Sequence, residues 1–411
     1  MGNAAAILYV GARIPKRSET FVYREIFALR SAGWTVHVAS VHAPELGLGE
    51  SMLEKLAGEA VGIYGSGYKA LIFDAVQEAF FFAKRSMGTV ASVFRDVWRD
   101  GQVGAKSVLK VGAQTLAGLA LARRVRSMKL SHIHAHMAHV PATIALVAAR
   151  QLGVSFSFTG HAADLFRDRS LLKAKLESAA FVACISEWHR EFYSKIVPGS
   201  LAKYPVIRCG VDTARFSPSE KVSPKHVILA VGRLVAKKGF DVLLRACAEL
   251  RTRQRGFQVV IGGDGPEHER LRKLQEELCL DCDVQLLGVL TNVQVRELLK
   301  EAAMFVLPSR VDLKGDRDGI PVVLMEAMAA GVACVGGDLP TIRELIVDAQ
   351  MGRLVRSDDV EALRGAIEEL LEDEPLRIRM GINGRNWVEE EFSTATNTPR
   401  LIAAFERNWK S

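Results

Sequence analysis

Short apolar runs of six or seven residues, rich in β-branched and aromatic side chains, recur along the chain. Between them lie longer segments whose apolar positions fall three and four apart, the spacing of amphipathic helices. In the first half the strand-like runs are AAILYV (4–9), TVHVASV (35–41), SHIHAHM (131–137), VSFSFTG (154–160) and FVACIS (181–186). SETFVYREIFALRSAG (18–33) has helical spacing, with Ser18 as its expected N-cap and Gly33 as its stop. After FSPSEKVSPK (216–225) the alternation restarts with HVILAVG (226–232), FQVVIGG (257–263), DVQLLG (283–288), MFVLPS (304–309) and VACVGG (332–337). Two blocks of alternating strand and helix predict two parallel-sheet α/β domains. The expected division is 1–215, containing a helical insert at 66–130, and 224–390, with 391–411 as a helix packing back on the first domain.

Open parallel sheets bind ligands outside the carboxyl ends of their strands. That rule selects four loops. VGRLVAKKGF (231–240) carries Arg233, Lys237 and Lys238 at a strand-to-helix turn, where a guanidinium fork and an ammonium suit a diphosphate. A solvated basic loop would read the same way. IGGDGPEHERLRKL (261–274) places glycines, Gly265 among them, before Pro266 at a helix start. Its backbone N–H groups can approach an anion, but the spacing is neither GxGxxG nor a Walker loop, and a plain tight turn fits as well.

GDRDGIPVVLMEAMAAGV (315–332) is the most informative loop. Gly319 permits a close turn, Pro321 suits a first helical turn, and Gly331 ends the helix. The helix N-terminus favours a phosphate. Asp318 precedes the helix, and Glu326 lies in its second turn on a largely apolar segment, where a carboxylate needs a reason such as ribose or sugar hydroxyls. A helix with one surface glutamate is the plainer alternative. In SFTGHAADLF (157–166), His161 and Asp164 follow a strand, in either a structural or a functional role.

Charge changes the picture in one place. The net charge is +7, and residues 66–130 alone hold eleven bases and four acids, a surplus equal to that of the whole chain. The balanced remainder argues against general nucleic-acid binding. Phe80, Phe81 and Phe82 stand beside Lys84 and Arg85, and Phe94 and Trp98 beside Arg95 and Arg99, a mixture that suits an anionic membrane surface as well as an ordinary helical core. The longest apolar run, VGAQTLAGLALA (111–122), falls short of the ~20 residues that cross a bilayer. MGNAAAILYVGARIP lacks a basic leader, so the expected location is cytoplasmic, soluble or peripheral on the inner membrane. Six cysteines include a single CxxC (Cys279, Cys282), weak evidence for zinc, and reduced thiols are expected.

His132, His134, His136 and His139 crowd into eight positions. On a strand the first three share one face, about 6.6 Å apart along it. They do not converge easily on a tetrahedral zinc, so no metal is expected. Packing at the strand end is expected, with His136 lining a cleft between the domains.

Taken together, these loops resemble the retaining glycosyltransferases of family 4, which have the GT-B fold, an α/β architecture of two Rossmann-like domains facing each other across a cleft. DGIPVVLMEAMAAG (318–331) resembles the family's E-x7-E motif, with its acids eight apart and Asp318 in place of the first Glu. Gly232, Arg233, Leu234, Lys238 and Gly239 match GRLxxxKG, and CGVDTARFSP (209–218) is similar to the interdomain NGVDxxxF segment. ILYVGARIPKRSETFVYREIFAL and HAHMA…FSFTGHAADLF look like a bacterial subgroup that builds exopolysaccharides of the colanic-acid type. The resemblance implies that Arg233 and Lys238 hold the donor diphosphate, that Glu326 binds ribose hydroxyls, and that Asp318 with Gly319, Ile320, Pro321 and Val322 holds the transferred sugar and a phosphate. Gly265 is expected in the donor site, and His161 is expected to contact the sugar from the other domain, on domain closure. No cofactor or metal is implied. The implied partners are a nucleotide-diphosphate sugar and a polyprenyl-linked glycan acceptor. A lipid or small-molecule acceptor, or a catalytically silent nucleotide-sugar binder, are the alternatives, the last motivated by Asp318. The family's glycine-rich N-terminal loop is replaced by ARIPKRSET (12–20).

Overall fold

A computed structural model of the chain describes residues 6–101, 104–161, 169–218, 226–253 and 256–408. Asp164 lies outside the described residues. The chain divides into two compact units, one made of residues up to Arg208 together with those from Asn397 on, the other of Cys209–Thr396. The division falls upstream of the joint at 216–225, because Val211 and Phe216 pack into the core of the second unit.

In the first unit, β1 (Ala6–Gly11), β2 (Thr35–Ser40), β3 (Val61–Gly62), β4 (Leu130–His136), β5 (Ser155–Gly160) and β6 (Val182–Cys184) form a parallel sheet in the order β3-β2-β1-β4-β5-β6. Every residue of β1 is buried, as expected for a strand covered on both faces by helices. The helices are α1 (Thr20–Ser31), α2 (Ser51–Glu59), α3 (Tyr68–Phe81), α4 (Ala83–Arg99), α5 (Ala105–Val125), α6 (Val140–Leu152), α7 (Leu172–Ser178) and α8 (Glu187–Ile196). Glu19, not Ser18, occupies the N-cap of α1, with no side-chain hydrogen bond. One sheet face buries Leu8, Val10, Ile133, Ala135, Phe156 and Phe158 with α5 and α6. The other buries Ile7, Tyr9, Val36 and Val38 with α1.

The basic stretch 66–130 folds mainly as α3, α4 and α5. Phe80, Phe81, Phe94 and Trp98 are 77, 61, 50 and 78% exposed. On α3, Lys69, Ile72, Phe73, Val76 and Phe80 follow helical spacing along one exposed stripe, and on α4 Met87, Phe94 and Trp98 do the same. Arg124 and Arg126, by contrast, are committed inward to Asp74 (2.7 Å) and Glu78.

The second unit repeats the architecture. Its strands β7 (His226–Val231), β8 (Phe257–Gly262), β9 (Val284–Leu286), β10 (Met304–Leu307), β11 (Ala333–Gly337) and β12 (Gly352–Val355) pair in parallel in the order β12-β11-β10-β7-β8-β9. The helices are α9 (Phe240–Arg251), α10 (His268–Glu277), α11 (Asn292–Glu301), α12 (Val322–Ala329), α13 (Val360–Glu372) and α14 (Glu374–Glu391). The edge strands β3 and β12, two and four residues long, add to the strands expected from the sequence and contain no continuous apolar run. Among the described residues, no helix is long and apolar enough to cross a membrane.

The last helix, α15 (Thr394–Arg407), carries Leu401, Ala404 and Phe405 into the core of the first unit. The Phe405 ring lies 5.2–5.8 Å from the rings of Trp34, His132, His134 and Phe181. Phe405→Ala removes a fully buried ring and should cost the first unit about 3–5 kcal/mol. Urea unfolding followed by tryptophan fluorescence measures this, and a change under ~1 kcal/mol would show that the helix end does not carry the core.

Candidate functional site

The strand order of the second unit reverses direction between β7 and β10. Connections from neighbouring strands diverge at such a point and leave a crevice at the carboxyl ends. The loops after β7 (232–239) and β10 (308–321) flank it, and they are tied together. The Arg310 N–H donates to the Lys237 carbonyl at 2.8 Å and its Nε to the Ala236 carbonyl at 2.9 Å. Its guanidinium also forks onto Asp241 at 2.9 and 3.1 Å.

Across this joint Lys238 Nζ donates to Asp318 Oδ2 at 2.8 Å, and Ser309 Oγ donates to the same oxygen at 2.7 Å. Lys237 Nζ lies 3.2 Å from Asp316 Oδ1 and 3.5 Å from Asp318 Oδ1. Asp318 is buried. Burial alone would raise its carboxyl pKa, but the charges of Lys238 and Lys237 and the hydrogen bonds from Lys238 and Ser309 hold it below its ordinary value. Thr341 Oγ1 donates to the Asp318 and Gly319 carbonyls at 3.1 and 3.2 Å, which pins the turn. Cation and carboxylate are thus presented together, with Asp318 as an ionised acceptor.

Pro321 is the N-cap of α12, and first-turn N–H groups of a helix have no intrahelical partner. Ile320 and Pro321 are buried, Val322 is half-buried, and Gly319 sits between them and Asp318. Glu326 is buried in the second turn of this apolar helix rather than on its surface. Gly331 (φ 73°) follows the helix, with its N–H on the Met328 carbonyl at 2.9 Å. Arg233 is exposed, and among the described residues no hydrogen bond or ion pair joins its side chain to the Lys238–Asp318 pair.

The loop after β8 packs backbone to backbone on the loop after β7. Leu234 N–H donates to the Asp264 carbonyl at 2.9 Å and Glu267 N–H to the Leu234 carbonyl at 3.0 Å. A Cβ on Gly265 would stand 2.3 Å from the Leu234 carbonyl oxygen, so only glycine permits the approach. Gly239 (φ 69°) is equally constrained, with a Cβ falling 2.2 Å from the Pro308 carbonyl oxygen. These glycines let the three loops close on one another.

In the first unit, β4 pairs with β5 so that His132, His134 and His136 lie opposite Ser155, Ser157 and Thr159. The three imidazoles share a face, but hydroxyls satisfy two of them. His132 Nδ1 and Nε2 lie 2.6 Å from the Ser155 and Ser157 hydroxyls. His134 Nδ1 and Nε2 lie 2.7 and 2.9 Å from those of Ser157 and Thr159. His136 Nδ1 meets His161 Nε2 at 3.2 Å, and its Nε2 meets Glu25 Oε1 at 3.0 Å. The Tyr9 hydroxyl donates to that same oxygen at 2.6 Å. Ligand atoms of Glu25, His134 and His136 fall within 4.8 Å of one another, a spacing a metal could use. Both ring nitrogens of His134 are already engaged by hydroxyls, so a hydrogen-bonded ladder accounts for the cluster. His139 instead accepts from the Val140 N–H at 2.7 Å and caps α6.

Burial and, secondarily, the neighbouring imidazoles His136, His189 and His139 hold the His161 pKa well below its ordinary value, and His134 is lowered for the same kind of reason. Burial and Glu25 push the Tyr9 phenol well up. These rings are therefore neutral at pH 7 and the phenol keeps its proton. Sequence reading missed Glu25, Tyr9 and Ser309. The alternation Ser155, Ser157, Thr159 in an otherwise apolar strand was the available sign of the ladder. No local pattern marks Glu25, which enters from α1.

Residues 212–387 match the family described as glycosyl transferases group 1. The match falls within the second unit, Cys209–Thr396. Over 163 residues the chain is 40% identical to a protein of Escherichia coli (strain K12) named as a colanic acid biosynthesis glycosyltransferase, covering 39% of this chain and 40% of that one. A GDP-mannose-dependent alpha-(1-6)-phosphatidylinositol monomannoside mannosyltransferase of Mycolicibacterium smegmatis is 30% identical over 248 residues, 57% of this chain and 64% of that one. The chain thus spans only 40 and 42% of the two colanic-acid-named relatives from Escherichia and Salmonella. In fold, the sucrose-phosphate synthase of Thermosynechococcus elongatus is similar with a TM-score of 0.74 at 17% identity, over 98% of this chain and 99% of that one. Anabaena HepE in complex with UDP-glucose is similar with a TM-score of 0.71 at 14% identity, over 98 and 99%. The chain has the GT-B fold, and its two six-stranded parallel sheets are the two α/β halves of that class.

The ladder generates a pH dependence. Burial pushes His132 down to about 3, whereas an unfolded histidine titrates near 6.5. Below about pH 6.5 the unfolded chain takes up a proton that the folded chain refuses, so the stability present above that pH declines as pH falls toward about 3. The loss for this one group is about 1.4 kcal/mol per pH unit. Urea midpoints of wild type and His132→Gln across that range should show a shallower slope in the variant. Equal slopes would show that folded His132 takes up protons freely.

Proposed function

We propose that the protein is a glycosyltransferase that moves a sugar from a nucleotide-diphosphate donor, with retention, onto a polyprenyl-linked intermediate of an exopolysaccharide. The observation that carries this reading is the cluster of Lys238 with the buried Asp318 and Ser309 at the switch point of the unit that matches glycosyl transferases group 1, eight residues before the buried Glu326. When the bond from the sugar to the diphosphate breaks, charge builds on the departing phosphate oxygens. Lys238, with Arg233 at the mouth of the same loop, supplies fixed cations there, and such preorganised charge lowers the barrier directly. A carboxylate has about four lone-pair sites. Asp318 can therefore keep Lys238 and Ser309 while accepting a sugar hydroxyl. The turn from Gly319 to Val322 offers backbone N–H groups to a phosphate, Gly265 keeps the neighbouring loop close, and Glu326 takes the ribose hydroxyls. The relative named for colanic acid biosynthesis supports the exopolysaccharide setting, the relative named for phosphatidylinositol monomannoside supports the alternative of a lipid acceptor, and the neighbour with UDP-glucose supports the donor class.

The test is donor turnover. Purified protein is incubated with UDP-, GDP- and ADP-sugars and a polyprenyl-lipid extract, with and without EDTA, while free nucleoside diphosphate and the anomeric configuration of the product are followed. One donor should be consumed, with its anomeric configuration kept and with no loss in EDTA. Lys238→Ala should lower kcat on the order of 100-fold, and Glu326→Ala should weaken donor binding about tenfold or more. Saturable donor binding without release, in the presence of the acceptor extract, would point to a silent binder. Loss of activity in EDTA with rescue by zinc would overturn the metal-independent mechanism.

The acceptor side has its own surface. The exposed stripes on α3 and α4 set Phe73, Val76, Phe80, Phe94 and Trp98 beside Lys69, Lys84 and Arg95. An apolar stripe flanked by cations fits the headgroup region of an anionic bilayer, and we assign it to docking beside a lipid-linked acceptor. Co-sedimentation with phosphatidylglycerol vesicles should fall as salt rises and drop several-fold in Phe80→Ser/Trp98→Ser. Vesicle binding that ignores salt or the double substitution would remove this assignment.

A further inference from the structure

We propose that the first unit carries a separate ligand site, for an anionic sugar, at the amino ends of β4 and β5. The site is built within that unit alone and does not depend on the glycosyl-transfer reading above.

A cavity of about 680 Å³ opens there, within the roughly 300–1,000 Å³ of small-molecule sites. Its polar lining is Arg150, Arg407, Ser131, Ser155, Ser178 and Asn408, and none of the described residues that line it is acidic. Ser131 and Ser155 stand at the starts of their strands, so the cavity lies at the opposite end of the sheet from the carboxyl ends.

The arginines differ in how far they are already engaged. Arg150, in the last turn of α6, donates from Nη1 to Asp96 at 2.6 Å and Ser92 Oγ at 3.0 Å, and from Nη2 to Ser178 Oγ at 2.9 Å. Its charge is balanced and it frames the cavity. Arg85 and Arg407 are exposed, and among the described residues neither pairs with a carboxylate. Arg407 ends α15, where the helix dipole offers about half a negative charge. A full guanidinium leaves net positive charge there. Arg85 lies in the first turn of α4, where a cation opposes the dipole of its own helix. Its Nε donates to the Arg150 carbonyl at 3.3 Å. Its Nη2 would stand 1.9 Å from a Cβ on Gly153, so a glycine with φ 73° lets this guanidinium lie against the cavity wall. Two unbalanced guanidiniums suit an anion. The serine hydroxyls suit the hydroxyls of a sugar ring, and so does Asn408, which uses Nδ2 on the Ala404 carbonyl at 2.8 Å and keeps its oxygen as an acceptor. Leu146 and Val154 supply apolar wall for the C–H face of that ring. Phosphate and carboxylate sugars share this chemistry, and the probes below separate them.

The experiment is calorimetric titration of the full chain with glucose 1-phosphate and with glucuronate, and with glucose and inorganic phosphate as the separate halves. One of the anionic sugars should bind with a Kd of about 1 mM or lower, and glucose and phosphate should each bind about tenfold or more weakly than that. Arg85→Ala/Arg407→Ala changes two exposed side chains and should weaken binding about tenfold or more. Lys238→Ala, in the other unit, should leave it unchanged, and excess UDP or GDP should not compete. Ser155 Oγ lies 2.6 Å from His132 Nδ1, so saturation should also move the ring-nitrogen shifts of His132, assigned with His132→Gln. Binding of neither anionic sugar overturns the proposal, as does binding that survives the double arginine substitution. Affinity for inorganic phosphate equal to that for the sugar phosphate removes the sugar and overturns it too. Competition by a nucleoside diphosphate, or a His132 ring unmoved at saturation, would place the ligand elsewhere and have the same effect.

Discussion

The second unit depends on the divergence of two adjacent strands. β7 and β10 lie side by side, but the chain leaves them toward different neighbours, so two loops stand over the same sheet end with little else between them. Parallel strands all point their carboxyl ends the same way, and only at the reversal does this open a crevice. Lys238 and Asp318 come from opposite sides of it and meet there. Both are largely buried, and a buried charge without a partner is expensive. Each therefore makes the other tolerable, and the Arg310 bridge to Asp241 and the Ala236 carbonyl keeps the loops in register for the meeting. The glycines of the neighbouring loops are a second consequence, since side chains at Gly239 or Gly265 would hold the backbones apart.

The two units share a strand order and differ in what they place at the sheet. In the second, polar chemistry sits in loops, and the strand faces are apolar. In the first, polar side chains run along the sheet itself. His132, His134 and His136 occupy positions that in an ordinary parallel sheet would be valine or isoleucine. They persist because β5 offers Ser155, Ser157 and Thr159 at matching register, and because Phe181 and Phe405 close over the rings. Buried polar groups are tolerable when partnered.

Much of this was legible in the sequence. The central strands were visible because burial on both faces makes them continuous apolar runs, whereas β3 (VG) and β12 (GRLV) contain no such run. The GRLxxxKG and DGIPVVLMEAMA segments marked the loops that converge, since their residue types are unusual at strand and helix ends. The partners within the site were not legible. Ser309 meets Asp318 across nine residues and Glu25 meets His136 across 111, and neither separation leaves a local trace. Ser18 failed as a cap because the chain enters α1 one residue later, at Glu19.

The ladder between β4 and β5 has a further property. Each neutral imidazole in it has one proton and one lone pair, and the Ser157 hydroxyl touches two rings at once. If Ser157 donates to one ring it must accept from the other. When Ser157 donates to either ring, the orientation of one bond sets the next, from Ser155 through His132 and His134 to Thr159. Two such one-way arrangements exist, opposite in polarity, and a third, with Ser157 accepting from both rings, breaks the run at its middle. In either one-way arrangement the interior of the sheet carries a collective dipole, which adds to or opposes the field at the carboxyl ends as a unit.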